Sequence, residues 1–416
     1  FAGQLAEFND AVAEYGRRLY PKAKSWRDAF RTLRSVIEDD TRKGKKVVFL
    51  DELPWLASGK SGFLEALGHF WNSWGSFQSN LLLIVCGSAT SWMVDKLLKN
   101  RGGLHNRITG ALYLQQFTLN ECEEFFQASG VVMSRYQMIE AYMIFGGVPH
   151  YLNLLTPQFS LPQNVDRLCF REGAVLRDEL SSLYHSLFEP ADNHILVVTA
   201  LSTKARGLTR AELIEATDLT NGGGVTKVLQ DLMHSGFIRK YHAVGKKSRD
   251  AIYQLVDFFT LFYLRFMSDQ STRDQNFWLH FSPTPSHTAW SGYAFEMVAL
   301  LHVDQIRRAL GIAGVLVDYA AWSGEINGSK AQVDLVLDRA DHVINLCEMK
   351  YTAENLAVDA ALERQLLRRK AVFTAATKTK KAVHWTLVTT YAPERTAHSG
   401  VFQSIVTADD LFAPML

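Results

Sequence analysis

Two short apolar runs limit the fold of this chain more than anything else in its sequence. Val47-Val48-Phe49-Leu50 follows Lys45-Lys46 and ends in Asp51-Glu52, while Leu81-Leu82-Leu83-Ile84-Val85-Cys86 runs into Gly87-Ser88-Ala89-Thr90-Ser91. Continuous hydrophobicity over so few residues is expected of a central strand in a parallel sheet, covered on both faces. Parallel neighbours need a crossover, and residues 62–74 have room for the single helix of a βαβ unit. The chain is therefore expected to open with an α/β domain.

Ligands bind at the carboxyl ends of such strands, and the residues found there suit phosphate chemistry. Asp51 is placed to hold Mg²⁺ directly or through water, and Glu52 to orient the water that attacks a γ-phosphate. Ser88 and Thr90 deliver small hydroxyls beside those acids, as a sensor of the γ-phosphate or its water requires. An apolar-apolar-Asp-Glu run is also common where a strand simply ends in a solvated acidic turn. Further on, Asn100-Arg101-Gly102-Gly103-Leu104-His105-Asn106-Arg107 is a glycine-containing loop with two arginines. Such arginines can reach a neighbouring subunit's phosphates in a homo-oligomer, with Arg107 the better candidate and Arg101 the weaker. Most loop arginines merely solvate.

With 416 residues and roughly 100 to 200 residues per domain, the chain is expected to hold three domains, over 1–156, 157–270 and 285–416. Forty-four basic against 43 acidic residues leave a formal charge of +1, so nucleic-acid contact must rest on local patches. Cys86, Cys122, Cys169 and Cys347 lack the paired spacing of zinc or redox sites and read as buried thiols of a reducing, cytoplasmic compartment. The histidines are scattered without a metal-binding cluster. No apolar run approaches the roughly 20 residues needed to span a bilayer. The sequence starts at Phe1 rather than methionine, as a fragment or trimmed product would, and residues 1–37 read as polar amphipathic helix.

Thr118-Leu119-Asn120-Glu121 is a capping box opening a helix, and a second helix is expected near 134–145; the pair would form a small lid. Asp51-Glu52-Leu53-Pro54-Trp55-Leu56, Cys86-Gly87-Ser88-Ala89-Thr90-Ser91, Gly103-Leu104-His105-Asn106-Arg107 and Gly146-Gly147-Val148-Pro149-His150-Tyr151-Leu152 together resemble the archaeal-type AAA ATPases of prokaryotes, along essentially the whole chain. The resemblance implies a P-loop NTPase core, ATP and Mg²⁺ as cofactors, and ATP hydrolysis in the intact protein. Such ATPases carry a Gly-x-x-x-x-Gly-Lys-Ser/Thr loop upstream of the point where this sequence begins, and no such run occurs here.

The middle segment alternates short helices with a terminal hairpin. Residues 194–201 and 209–217 read as helices, the second opened by a Thr209-to-Glu212 capping box. A third helix runs from Asn221-Gly222-Gly223-Gly224 to His234, with Gly236 as its left-handed stop. Phe237-Ile238-Arg239-Lys240-Tyr241 and Ala251-Ile252-Tyr253-Gln254-Leu255 then flank a basic turn. This is the pattern of a winged helix, in which Thr226 and Lys227 would face duplex DNA and Lys246, Lys247 and Arg249 would touch its phosphates. A winged helix used purely for packing between domains fits equally well. The aromatic run over residues 258–266 reads as a core helix rather than a base-stacking platform.

In the last segment Tyr293-Ala294-Phe295-Glu296-Met297 is an apolar helix with one carboxylate, and residues 331–337 and 343–350 are strands. Glu348 and Lys350 share a face because side chains repeat every two residues, and Asp334 on the neighbouring strand can meet both. Charges gathered among Val, Leu and Met are costly to bury unpaired, so they are expected to share a metal or a network. The order Glu, Asp, Glu-x-Lys resembles the PD-(D/E)XK nuclease superfamily, and this resemblance implies a restriction-endonuclease-like α/β domain. It also implies Asp334 and Glu348 as Mg²⁺ ligands, Lys350 as the group positioning the attacking water, and Glu296 as an auxiliary ligand. No proline precedes Asp334, a departure from the motif. Arg364, Arg368, Arg369 and Lys370 cluster on a following helix, either as a phosphate grip or as a solvated face.

Overall fold

In this computed structural model the described residues are 2–16, 19–57, 59, 61–88, 90–99, 104, 106–242, 251–269, 274–282 and 284–414. They fall into two compact units, Phe1–Tyr113 and Leu114–Leu416. Each mixes helices and strands, and each contains parallel strand pairs.

The first unit opens with two helices, α1 (Ala2–Tyr15) and α2 (Trp26–Asp39), where one was expected. Pro21 lies in the gap and offers no backbone donor, and Ser25 restarts the helix by accepting the Asp28 N–H. Strand β1 (Lys46–Leu50), helix α3 (Phe63–Ser73) and strand β2 (Leu81–Val85) follow. β1 and β2 are parallel, with Lys46 opposite Leu81 and Leu50 opposite Val85. Val48, Leu50, Leu81, Leu83 and Val85 pack against Trp26, Phe30, Phe63 and Phe70. Each fully buried aromatic or aliphatic side chain there is worth about 1.5–3 kcal/mol, enough to fix the helices to that side. The alternate face departs from the expectation of a strand covered twice: Val47 and Phe49 are 58% and 57% exposed, and Leu82 and Ile84 45% and 39%. Those four side chains stand outside the apolar core that holds the other face of the pair.

The second unit begins with α4 (Leu119–Ser129) and α5 (Arg135–Phe145), each opened by a complete capping box at Thr118 and Ser134. Next come α6 (Asp192–Ser202), β3 (Leu208–Thr209), α7 (Arg210–Thr217), α8 (Gly223–His234), β4 (Ile238–Tyr241) and β5 (Ile252–Leu255). The three strands make a small antiparallel sheet in the order β3-β5-β4. Gly236 stops α8 with φ +77°. The aromatic helix α9 (Phe258–Phe266) buries Phe258, Phe259 and Phe262 in the core.

Helix α10 (Pro285–Leu301) leads to a five-stranded mixed sheet of β6 (Val317–Ile326), β7 (Ser329–Arg339), β8 (Val343–Lys350), β9 (Ala382–Thr389) and β10 (Phe402–Val406), in the order β10-β9-β8-β7-β6. β6, β7 and β8 form antiparallel hairpins, whereas β8, β9 and β10 run parallel. Helix α11 (Ala360–Thr377) is the crossover that a parallel β8–β9 pair requires. One apolar core joins α4, α5, α9 and α10 to β7 and β8. The helices read from sequence as a lid over the first domain are thus built into the unit that holds the acidic strands. Cys122, Cys169 and Cys347 are buried and Cys86 is partly so, all as free thiols. No helix among the described residues is long and apolar enough to cross a membrane.

Candidate functional site

Two clusters of candidate side chains emerge, one in each unit. In the first, the hydrogen-bond ladder continues one step past the strands: Cys86 N–H donates to Leu50 O (3.1 Å) and Leu53 N–H to Cys86 O (2.8 Å). That step sets Asp51-Glu52 beside the turn after β2. Glu52 is left-handed at φ +47°, a conformation costing a non-glycine residue about 1–2 kcal/mol. Its side chain is held by Ser88, whose backbone N–H (3.2 Å) and hydroxyl (2.9 Å) both donate to Oε2. Asp51 Oδ1 accepts from Glu52 N–H (2.9 Å) and from the Cys86 thiol (2.7 Å). Burial, and then the Asp51 carboxylate, push that thiol's pKa up, so it stays a donor. Gly87 allows the turn: a Cβ there would stand 2.5 Å from Pro54 Cδ.

The structure thus brings Asp51, Glu52 and Ser88 together, while the sequence reading took Cys86 only for a buried thiol and gave it no role beside the acids. Thr90 turns its hydroxyl to Ser88 O at 3.4 Å, and Arg107 is exposed, with its backbone N–H on Leu104 O. Arg101 lies outside the described residues. Asp51 Oδ2 makes no hydrogen bond to described residues, and a hard carboxylate oxygen of this kind fits Mg²⁺.

The second cluster sits where α10, β7, β8 and α11 meet. The antiparallel register, with Leu335 opposite Cys347, sets Asp334 and Glu348 at neighbouring positions just beyond the last registered pair. Glu348 is 7% exposed, and both its oxygens are engaged. Lys350 Nζ stands 2.9 Å from Oε1, and Arg369 Nη1 donates to Oε2 at 2.7 Å. Asp334 Oδ1 accepts from Gln332 at 2.7 Å. Glu296, on α10, completes the set: burial, then the charges of Asp334 and Glu348, raise its pKa to about 8. Among the described residues no three His, Cys, Asp or Glu side chains are arranged to hold a metal ion. The Lys350 and Arg369 cations take up the oxygens of Glu348 instead, so the carboxylates supply suitable ligand atoms in a charge-neutralised arrangement. Sequence reasoning named Arg369 only as one of a basic cluster; its i, i+4 placement after Gln365 gave no sign of a carboxylate partner on β8.

Of the residues expected to meet DNA, Thr226 and Lys227 are exposed on α8, and the Thr226 hydroxyl bonds Gly222 O at 3.1 Å. Lys246, Lys247 and Arg249 lie outside the described residues.

No family model matches the chain. It is 24% identical over 265 residues to the uncharacterized protein MJECL04 of Methanocaldococcus jannaschii, a match covering 61% of this chain and 56% of that relative. The matched part thus spans little more than half of the relative's length. Among solved structures, a Walker-type ATPase of Pyrococcus abyssi aligns with TM-score 0.43 and 18% identity, over 63% of this chain and 76% of the other.

Proposed function

We propose that Asp51, Glu52 and Ser88 form the hydrolytic half of an ATP site, and that the intact protein is an AAA-type ATPase coupled to a DNA-binding or nuclease-like C-terminal half. The observation that carries this reading is the double hydrogen bond from Ser88 to Glu52 beside Asp51, past the carboxyl ends of two parallel strands. Glu52, fixed by Ser88 and lying next to Asp51, is suited to take up or orient a water proton during attack on a phosphoryl group. Asp51, with one oxygen held by Cys86 and the other without a hydrogen-bond partner among the described residues, is suited to a divalent ion. Bound there, Mg²⁺ would neutralise charge developing on the phosphoryl oxygens. This sequence contains no Gly-x-x-x-x-Gly-Lys-Ser/Thr run to cradle the phosphates, since Pro54 stands where Gly59-Lys60-Ser61 would need the first glycine, so the reading concerns the acid half alone. Steady-state Mg-ATP hydrolysis by the full-length protein tests it: Asp51→Ala and Glu52→Gln should each cost about 100-fold or more. Unchanged turnover in Glu52→Gln sinks the reading.

A second reading is favoured by one observation in the other unit. Asp334 and Glu348 stand at neighbouring positions of β7 and β8 with Lys350 Nζ 2.9 Å from Glu348, and burial beside those carboxylates raises the pKa of Glu296, a grouping suited to metal-dependent phosphodiester cleavage. In that reading Asp334 and Glu348 would hold Mg²⁺, Lys350 would orient the attacking water, and Glu296 would assist. Plasmid cleavage with Mg²⁺ alone, abolished by Asp334→Ala and indifferent to Glu52→Gln, supports it. Intact plasmid under those conditions removes it.

A further inference from the structure

The small sheet β3-β5-β4 is tied to the turn of α10 that carries Glu296. Gln254, on β5, donates from Nε2 to Ala205 O (2.8 Å) and to Met297 Sδ (3.4 Å), the residue after Glu296. Tyr293, one helical turn before Glu296, donates its hydroxyl to the same Ala205 O at 3.3 Å. Tyr241, the last residue of β4, donates to Arg206 O at 2.7 Å. Strand β4, the 205–206 turn and α10 are therefore stitched together beside the acidic cluster.

Arg239 lies within this seam. Its Nε donates to Gln254 Oε1 at 2.8 Å, and its guanidinium lies 4.8 Å from the Tyr241 ring centroid. No carboxylate among the described residues stands within ion-pair distance of it. Burial pulls its pKa down, as expected of a charge held away from water. A half-buried guanidinium with no carboxylate among the described residues to pair it is costly, and an anion that presents two oxygens to its N–H fork offsets that cost; the two non-bridging oxygens of a phosphodiester do so. Tyr241 feels the Arg239 and Arg206 cations and the Asp334 carboxylate together, which puts this seam within electrostatic reach of the acidic cluster.

We propose that Arg239 and Tyr241 form a backbone-phosphate site for a DNA strand led to the acidic cluster of Glu296, Asp334 and Glu348, so that the small sheet supplies one wall of the substrate cleft. The inference rests on the phosphodiesterase reading for its purpose, but its binding test does not. Arg239 grips one phosphate through its fork, and Tyr241 holds the guanidinium plane from behind. Both are positioning residues.

The experiment measures binding of a labelled DNA duplex by fluorescence anisotropy in EDTA across a salt series, followed by cleavage in Mg²⁺. Arg239→Gln should weaken binding and make the slope of log K against log salt shallower by about 0.9, the loss of one phosphate contact. Arg239→Lys keeps the stem and the charge, so it guards against misfolding: it should hold the wild-type slope and bind less tightly than wild type. Wild-type affinity and slope in both variants overturn the proposal. If wild type binds DNA yet never cleaves it, the phosphodiesterase reading fails while the slope comparison still decides Arg239. If wild type binds no DNA at all, both fall.

Discussion

Ser88 gives two hydrogen bonds to a single oxygen of Glu52, from its backbone N–H at 3.2 Å and its hydroxyl at 2.9 Å. Two donors on one carboxylate oxygen restrain the side chain's rotation and leave Oε1 without a hydrogen-bond partner among the described residues. A residue that must aim at one water molecule needs this kind of restraint, because misplacement by about 1 Å costs of order 100-fold in rate.

Ser88→Ala removes the hydroxyl donor and leaves the backbone one. ATP hydrolysis by the full-length protein should fall about tenfold, mainly in kcat, since Glu52 keeps its charge but loses half its restraint. Adding Ser88→Ala to Glu52→Gln should cost little more, because both act on the same group. Additive losses in that double variant would show that the two residues work separately.

Gly147 accepts Phe117 N–H at 2.7 Å through its carbonyl, and a Cβ on it would stand 1.9 Å from Phe117 O. The neighbouring Gly146 sits at φ +63° with Gln116 against it. Gly147→Ala should therefore force the 116–117 segment off α5 and destabilise the second unit by about 1–3 kcal/mol or more. Chemical denaturation measures this, and a variant as stable as wild type would mean the two segments part without strain. The same contact explains why a glycine pair follows α5, with no ligand needed to account for it.

Much of this was legible in the sequence because it is written in local chemistry. The crossover helix expected over 62–74 is α3 at 63–73, and the capping boxes at Thr118 and Thr209 open α4 and α7 as their Ser/Thr-x-x-Glu spacing requires. Other features were not legible because their partners are remote. Glu348 and Arg369 are far apart in sequence, and only the α11 crossover returns the arginine to β8. The tie from the start of α4 to the end of α10 runs through His302, a lone histidine with no motif around it. Strands β6, β9 and β10 escaped notice too, as they lack a functional residue to draw attention. The open face of β1 and β2 defeated pattern reading for a different reason: an unbroken apolar run does not tell a strand covered on both faces from one covered on a single face.

At the acidic cluster, Arg369 competes with any cation for Glu348. Arg369→Gln removes the competing charge and keeps a hydrogen-bond donor, so Mn²⁺ affinity should tighten about tenfold, equivalent to about 1.4 kcal/mol. Glu348→Gln should abolish that gain. Isothermal titration or Mn²⁺ paramagnetic resonance reads both without any cleavage assay. Weaker binding in Arg369→Gln would mean that the arginine shapes the ligand set instead of blocking it.

His302 ties the start of α4 to the end of α10: Nε2 accepts the Leu119 N–H at 3.0 Å, while Nδ1 lies 2.8 Å from Val298 O. An acceptor at Nε2 and a donor at Nδ1 describe a neutral ring, and burial lowers its pKa to about 4 from an ordinary 6.5. The unfolded chain therefore binds a proton between those values that the folded one refuses. Stability from this residue is complete above about pH 6.5 and is lost as the pH falls toward 4, by up to about 3 kcal/mol. Urea unfolding at intervals across that window should give a declining midpoint for wild type. His302→Gln cannot protonate, so it should be less stable at pH 7 and decline less steeply than wild type from 6.5 to 4.5; burial also lowers the pKa of His194, which keeps part of the slope in both. If wild type and variant decline in parallel, the histidine is charged in the folded protein and the bond from Leu119 cannot hold as described.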